Sequence, residues 1–149
     1  MPLRSVRVAD VRRATLDDLD AVLEWGRKFH AYSPWGKRVP IVETDWRQTV
    51  TGLLSSDDAA VFVSEGGFCG GLIFPMYFNF GFRIAQELFW YADHGGTELR
   101  QAFEDWARSR GADAIQMSCI ADDRETAVRR LLRKAGYDAT ETSLMKEIA

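Results

Sequence analysis

Apolar residues early in the chain recur three and four positions apart. Leu19, Val22, Leu23, Gly26 and Phe29 keep this spacing, which predicts a first helix over 16–31. Thr15, with Asp18 three residues on, reads as its capping box, and Ser33-Pro34-Trp35-Gly36 as its break. A short strand is expected before it, over 6–14. A basic loop, 37–40, follows. Thr44 reads as the cap of a second helix with Trp46, Val50 and Leu53 on one face. The period then shortens. Residues 59–64 (AAVFVS), 68–78 and 83–91 read as strands joined by turns at Glu65-Gly66-Gly67 and Asn79-Phe80-Gly81, an antiparallel meander. Pro75 lacks a ladder donor and is expected at an edge, an end or a bulge.

Past residue 91 helical and strand periods alternate. Leu99, Ala102, Phe103 and Trp106 form a buried stripe over 97–110, which Gly111 ends. A strand over 112–120 follows. Asp122, with Glu125 three residues on, opens a helix whose apolar face is Val128, Leu131, Leu132 and Ala135, closed by Gly136. Residues 137–140 and 143–148 read as two last strands. The order β-α-α-β-β-β-α-β-α-β-β predicts an α/β (α+β) domain, a mixed and mainly antiparallel sheet with helices on both faces. No linker or repeat divides the 149 residues, so residues 1–149 read as one domain.

Composition narrows the function classes. The net charge of -3 argues against a protein that holds nucleic acid through a general positive field. No apolar stretch approaches the ~20 residues of a membrane span, and residues 1–10 lack the apolar core of a secretory signal. Cys69 and Cys119 both sit in apolar runs and read as two buried thiols, with no spacing that suggests zinc. The expectation is a cytoplasmic protein with no metal, no nucleic acid and no membrane partner. The stretch FPMYFNFGF, 74–82, is rich in aromatics for strand surface and points to a subunit contact, hence a possible homodimer.

Two stretches carry a resemblance. One is AQELFWYADHGGTELRQAFEDWARSRGADAIQMSC, 85–119. The other is RRLLRKAGYDATETSLMKEI near the end. With the order of elements, they resemble the GNAT superfamily of N-acetyltransferases over essentially the whole chain. The phrases ELFW and FEDWARSRGA are similar to members encoded by tailed phages and prophages. The resemblance implies acetyl-CoA as cosubstrate and transfer of its acetyl group to a primary amine, borne by a small molecule or a protein. It places Trp90, Tyr91 and Ala92 beside the pantetheine arm. It places His94, Gly95, Gly96, Thr97 and Glu98 at the pyrophosphate, where unpaired N–H groups and the positive end of a helix favour an anion. The N–H groups from Gly95 to Leu99 are expected to face a cleft, with Gly96 permitting close approach.

The sequence departs from the family pattern at three places. The loop 92–96 is several residues shorter than the usual Q/R-x-x-G-x-G/A and lacks its leading Arg or Gln. Leu132 stands where the family often has a tyrosine acid, and Glu125 where it often has an asparagine. These departures keep a second function open, a GNAT-fold binding or virion-associated protein without acetyl transfer. Glu87, in an aromatic strand and expected on the face of Phe89 and Tyr91, is the candidate general base. A structural carboxylate paired with Arg or Lys is the plainer alternative. His94 is a second candidate, against a conformational role in a turn. A solvated surface is the plain reading of the basic run Arg129, Arg130, Arg133 and Lys134.

Overall fold

Ala59, Val61 and Val63 bury their side chains on one side of their strand, and Ala60 and Phe62 bury theirs on the other. A strand buried on both faces must be interior to a layered fold. The computed structural model, which describes residues 10–149, shows this arrangement. The described residues form two compact units, one ending at Ser118 and one running from Cys119 to Ala149. The first holds five strands: β1 (Arg12–Arg13), β2 (Ala59–Ser64), β3 (Gly67–Met76), β4 (Asn79–Ala92) and β5 (Ala114–Gln116). They lie side by side in chain order, antiparallel through β4, with β5 parallel to β4. The mixed sheet is therefore as expected. Residues 6–9 of the expected first strand lie outside the described residues.

Two helices cover one face. Thr15 accepts from the Asp17 N–H, and Asp18 accepts from the Thr15 N–H at 2.8 Å. This capping box starts a 3-10 turn that leads into α1 (Leu19–Tyr32). The second helix, α2 (Glu43–Ser55), does not start at Thr44 as its side chain suggested. Val42 is the cap residue, and Glu43 and Asp45 occupy the first turn, where acidic groups suit the helix dipole. Trp46 holds the two helices together. Its ring lies where a Cβ on Gly26 would stand, and its Nε1 donates to the Leu23 carbonyl at 3.2 Å. The core on this face includes Val22, Leu23, Val50, Leu53, Val61, Phe68 and Phe89, with the Phe68 and Phe89 rings stacked at 4.4 Å. Within α2, Gly52 has open space around its Cβ position. Gly52→Ala should raise stability by about 0.5–1 kcal/mol, through helix propensity and a less flexible unfolded chain. Urea denaturation checks this, as a shift in midpoint at unchanged slope.

The other face is covered by α3 (Gly96–Ser109), which packs Leu99, Phe103, Trp106 and Ala107 against Ala60, Phe62, Cys69, Ile73 and Ala85. Gly111, at φ 75°, turns the chain out of the helix, as its position predicted. The β3–β4 turn is Tyr77-Phe78 rather than Asn79-Phe80-Gly81. Asn79 already pairs with Met76, and its side chain accepts from the Gly81 N–H at 3.0 Å. Pro75 sits at a register shift, as a residue without an N–H should. The fifth strand is far shorter than the 112–120 expected. The Ala112 N–H goes back to the Ala107 carbonyl, and the last rung with β4 is at Gln116.

The second unit contains α4 (Glu125–Lys134). Asp122 does not cap it. The Asp122 side chain accepts from the Arg124 N–H at 3.0 Å in the preceding turn, and Arg124 is the cap residue. Leu132 is buried, Leu131 is exposed, and Gly136 closes the helix at φ 97°. The strands expected over 137–140 and 143–148 are not formed. Their apolar positions alternate, but a strand exists only through a neighbour that completes its ladder. None pairs with them among the described residues, and Leu144 and Ile148 are almost fully exposed.

Candidate active site

The site is built by an irregularity in β4. Gly70 pairs with Phe89 and Gly71 with Glu87, so Leu88 is an extra residue, a β-bulge. The bulge reverses which side of the sheet the preceding side chains face. Phe89 and Tyr91 pack with α1 and α2, whereas Glu87 lies opposite Gly71, on the α3 face with Ala85 and Trp90. The period-two expectation that put Glu87 with Phe89 and Tyr91 is thus corrected. Gly71 suits this spot because a Cβ there would meet the backbone of Gln86 and Glu87.

Glu87 is 5% exposed. Burial pushes its carboxyl up from 4.5 to about 7, against the opposing effect of the Ser118 N–H, which donates to Oε2 at 3.1 Å. The plainer alternative, a carboxylate held by Arg or Lys, is not what stands there, since no cation contributes to its shift. The Cys69 thiol nearby is pushed well up by burial and then by the charge of Glu87, which makes it a poor nucleophile. Cys119 is half-buried, not buried as expected.

The last rung between β4 and β5 joins Gln86 to Gln116. From Glu87 to Ala92, β4 keeps β3 on one side and has no strand on the other among the described residues. Tyr91 faces α1, its ring 5.6–6.1 Å from those of Trp25, Phe29 and Tyr32. Trp90 faces α3, and its Nε1 donates to the Gly96 carbonyl at 2.8 Å. Ala92 pairs with Gly67. The strand therefore runs directly into a loop that it also helps to hold.

That loop is short and tightly held. The Asp93 N–H donates to the Gly66 carbonyl at 2.7 Å. The His94 carbonyl and imidazole close over Gly66, where a Cβ would meet the carbonyl oxygen and stand 2.7 Å from Nδ1. His94 thus has a conformational setting. Gly95 is the cap residue of α3, at φ 72°, left-handed backbone that glycine adopts without strain. Gly96 has ordinary backbone, and a Cβ on it would make only ordinary contacts at 3.6 Å. The glycine that the conformation requires is therefore Gly95. The N–H groups of Gly96, Thr97 and Glu98 begin α3 and have no intrahelical partner. Leu99, expected among the open donors, instead bonds the Gly95 carbonyl at 3.2 Å.

Sequence reasoning missed four participants. Ser118 and Gly66 act through backbone groups and carried no side-chain signal. Arg100 and Glu104 form a buried ion pair on α3, with Arg100 Nε unpartnered. As a charged i,i+4 pair they look in sequence like a solvated face. Of the basic run on α4, Arg129 pairs with Glu125 at 2.8 Å. A shallow groove lined by Asp45, Gln48, Thr49, Gly52 and Leu53 shares no residue with the site. No cluster of His, Cys, Asp and Glu that could hold a metal occurs among the described residues, and no described helix is long and apolar enough to cross a membrane.

No protein-family model matches the chain, and no curated protein matches it. Solved structures do. A predicted acetyltransferase from Clostridium acetobutylicum with acetyl-CoA is 14% identical with a TM-score of 0.74, the match covering 93% of this chain and 96% of that one. The aminoglycoside N-acetyltransferase AAC(6')-Iy, in complex with the bisubstrate analogue CoA-S-monomethyl-acetylneamine, is 14% identical with a TM-score of 0.73, over 95% and 98% of the two chains. A transcriptional regulator from Bacillus halodurans is 16% identical with a TM-score of 0.66, over 94% and 99%. The chain has the GNAT acetyltransferase fold.

Proposed function

We propose that the protein is an N-acetyltransferase that moves the acetyl group of acetyl-CoA to a primary amine, with residues 1–149 acting as one GNAT-like domain. One observation carries this reading: the side of β4 from Glu87 to Ala92 along which no described strand runs leads into the N–H groups of Gly96, Thr97 and Glu98 that open α3. An extended amide-bearing arm followed by a pyrophosphate matches that sequence of donors and acceptors. The arm would add along Trp90, Tyr91 and Ala92 as a strand adds to a sheet edge. The phosphates would lie at Gly96, Thr97 and Glu98, with Gly95 giving the turn and His94 the loop its shape. Acetyltransferases with acetyl-CoA or a CoA conjugate bound share the fold.

Glu87 is the general base of this reading. An amine is protonated at neutral pH and must lose a proton before its lone pair attacks the thioester carbonyl. Glu87, with its carboxyl at about 7, takes that proton directly or through water. The C–N bond then forms, the C–S bond breaks, and the amine's second proton goes to solvent. Leu132 offers no acid at the place where relatives of this fold often have one. A thiol with an ordinary value near ~8.5 leaves readily as thiolate and takes its proton from water. The acceptor is a small-molecule or protein amine. A cytoplasmic location, and the phage-like character of the ELFW and FEDWARSRGA phrases, belong to the same reading.

Thermal unfolding with added acetyl-CoA tests it. A cosubstrate that binds only the folded state at a hundred times its dissociation constant adds ~2.7 kcal/mol, seen as a raised midpoint. No shift with millimolar acetyl-CoA or CoA would leave a fold without the activity.

A further inference from the structure

We propose that the distal β3–β4 hairpin is the interface of a homodimer, two copies packing their aromatic tips against each other. The neighbouring strands stop short of this hairpin. The pairing of β2 with β3 covers only Gly67 to Leu72, and that of β5 with β4 only Ile84 to Gln86. Arg83 is the last mooring point. Its N–H donates to Asp113 at 2.8 Å, and its guanidinium reaches Asp58 at 3.1 Å and the Arg110 carbonyl at 3.2 Å. Beyond it β3 and β4 go on without neighbours, with Met76 paired to Asn79 and Phe80 to Phe82 left out of the ladder between them, an arrangement of marginal stability in water by itself.

The hairpin is covered with rings. Phe74, Tyr77, Phe78, Phe80 and Phe82 are 36%, 86%, 70%, 77% and 40% exposed. At ~200 Å² for an aromatic side chain, that is about 600 Å² of open ring surface on one hairpin, the upper end of what a monomer ordinarily leaves to solvent. Two copies would cover about 1,200 Å² from these rings alone, the lower bound of a stable interface.

Charge selects the occupant. No charged residue lies between Phe74 and Phe82, so nothing on the patch would attract a charged partner. A two-fold interface sets residues near its axis against their own copies, and a patch without charge brings no like charges together there. The contact would be made by side chains rather than by strand addition. Pro75 removes a donor from one strand, and the Gly81 N–H of the other is taken by Asn79. The Tyr77 and Phe78 rings already meet edge-on at 5.0 Å, so little order remains to be imposed on binding.

Analytical ultracentrifugation of the full chain tests this, independently of the catalytic reading. At micromolar concentration the native protein should sediment at twice its 16.9 kDa mass. The double variant Tyr77→Lys/Phe80→Lys should dissociate about a hundredfold more readily, because two central rings are replaced by like charges facing each other. Both residues are exposed, so the variant should keep the native fold, read as an unchanged circular dichroism spectrum, while its unfolding midpoint loses the dependence on protein concentration that the native dimer shows. Hydrogen exchange of the native protein gives a second readout: amides from Tyr77 to Phe82 should lose protection on dilution. A native chain that stays monomeric, or a charged variant that dimerises as tightly as the native, overturns the proposal.

Discussion

Glu87→Gln should give a protein that is slower and, at pH 8, more stable. Both effects come from one property. The folded state holds the Glu87 proton up to about pH 7, whereas the unfolded chain releases it near the ordinary 4.5. Between those values the folded state binds more protons, so native stability falls as pH rises through the window and levels off above it. The difference amounts to about 3 kcal/mol at pH 8. Glutamine keeps the shape and can still accept from the Ser118 N–H, but it has no charge to bury. Thermal unfolding from pH 4 to 9 should show the native protein losing this stability with rising pH and the variant keeping it.

The rate should move the other way. Loss of a positioned base costs about 10²–10⁴-fold in kcat, while acetyl-CoA affinity should barely change, since the base acts in the chemical step. The native kcat/KM should fall as pH drops below about 7, where Glu87 takes up its proton. A variant as fast as the native protein on a true acceptor would return Glu87 to a structural role. A native protein without the predicted loss of stability would sink the burial argument itself.

Gly66→Ala should weaken acetyl-CoA binding at least about tenfold, a matter of about 1.4 kcal/mol. Gly66 touches no reacting group. Its added methyl would meet the His94 carbonyl, which is backbone, in a loop tied to the same turn through the Asp93 N–H. Loop and turn must separate, and Gly95 and the first donors of α3 move with them. Overpacking of this kind costs ~1–3 kcal/mol of stability. Calorimetric titration separates the two effects when Gly52→Ala serves as a control that adds a methyl in open space. Native affinity in a folded Gly66→Ala protein would show that the β2–β3 turn does not hold the 93–96 loop in register. In a longer loop extra residues could set its shape. Here a neighbouring hairpin does so.

The sequence disclosed what local rules decide. Leu99, Phe103 and Trp106 mark α3, Gly111 and Gly136 end their helices, and Thr15 with Asp18 opens the first, because helix period and capping involve only near neighbours. The face of Glu87 was not legible. It depends on the extra residue Leu88, and a bulge is settled by the partner strand, here at Gly70 and Gly71. The turn at Tyr77-Phe78 was misplaced for a similar reason, since Asn79-Phe80-Gly81 has better turn chemistry but Asn79 pairs with Met76. The last two strands were read from alternation alone, which describes a face to bury and says nothing of the neighbour that would bury it.

The sheet separates two packed layers that have no residue in common, one built with α1 and α2 and one with α3. Substitutions couple when side chains touch and add when they do not. Each layer can therefore be rebuilt over generations without a matching change in the other. The number of sequences that satisfy both layers approaches the product of the numbers that satisfy each. Such a protein can drift until about one residue in seven matches a structural relative, as the 14% identity with the acetyltransferase from Clostridium acetobutylicum illustrates, while the path of its backbone stays the same.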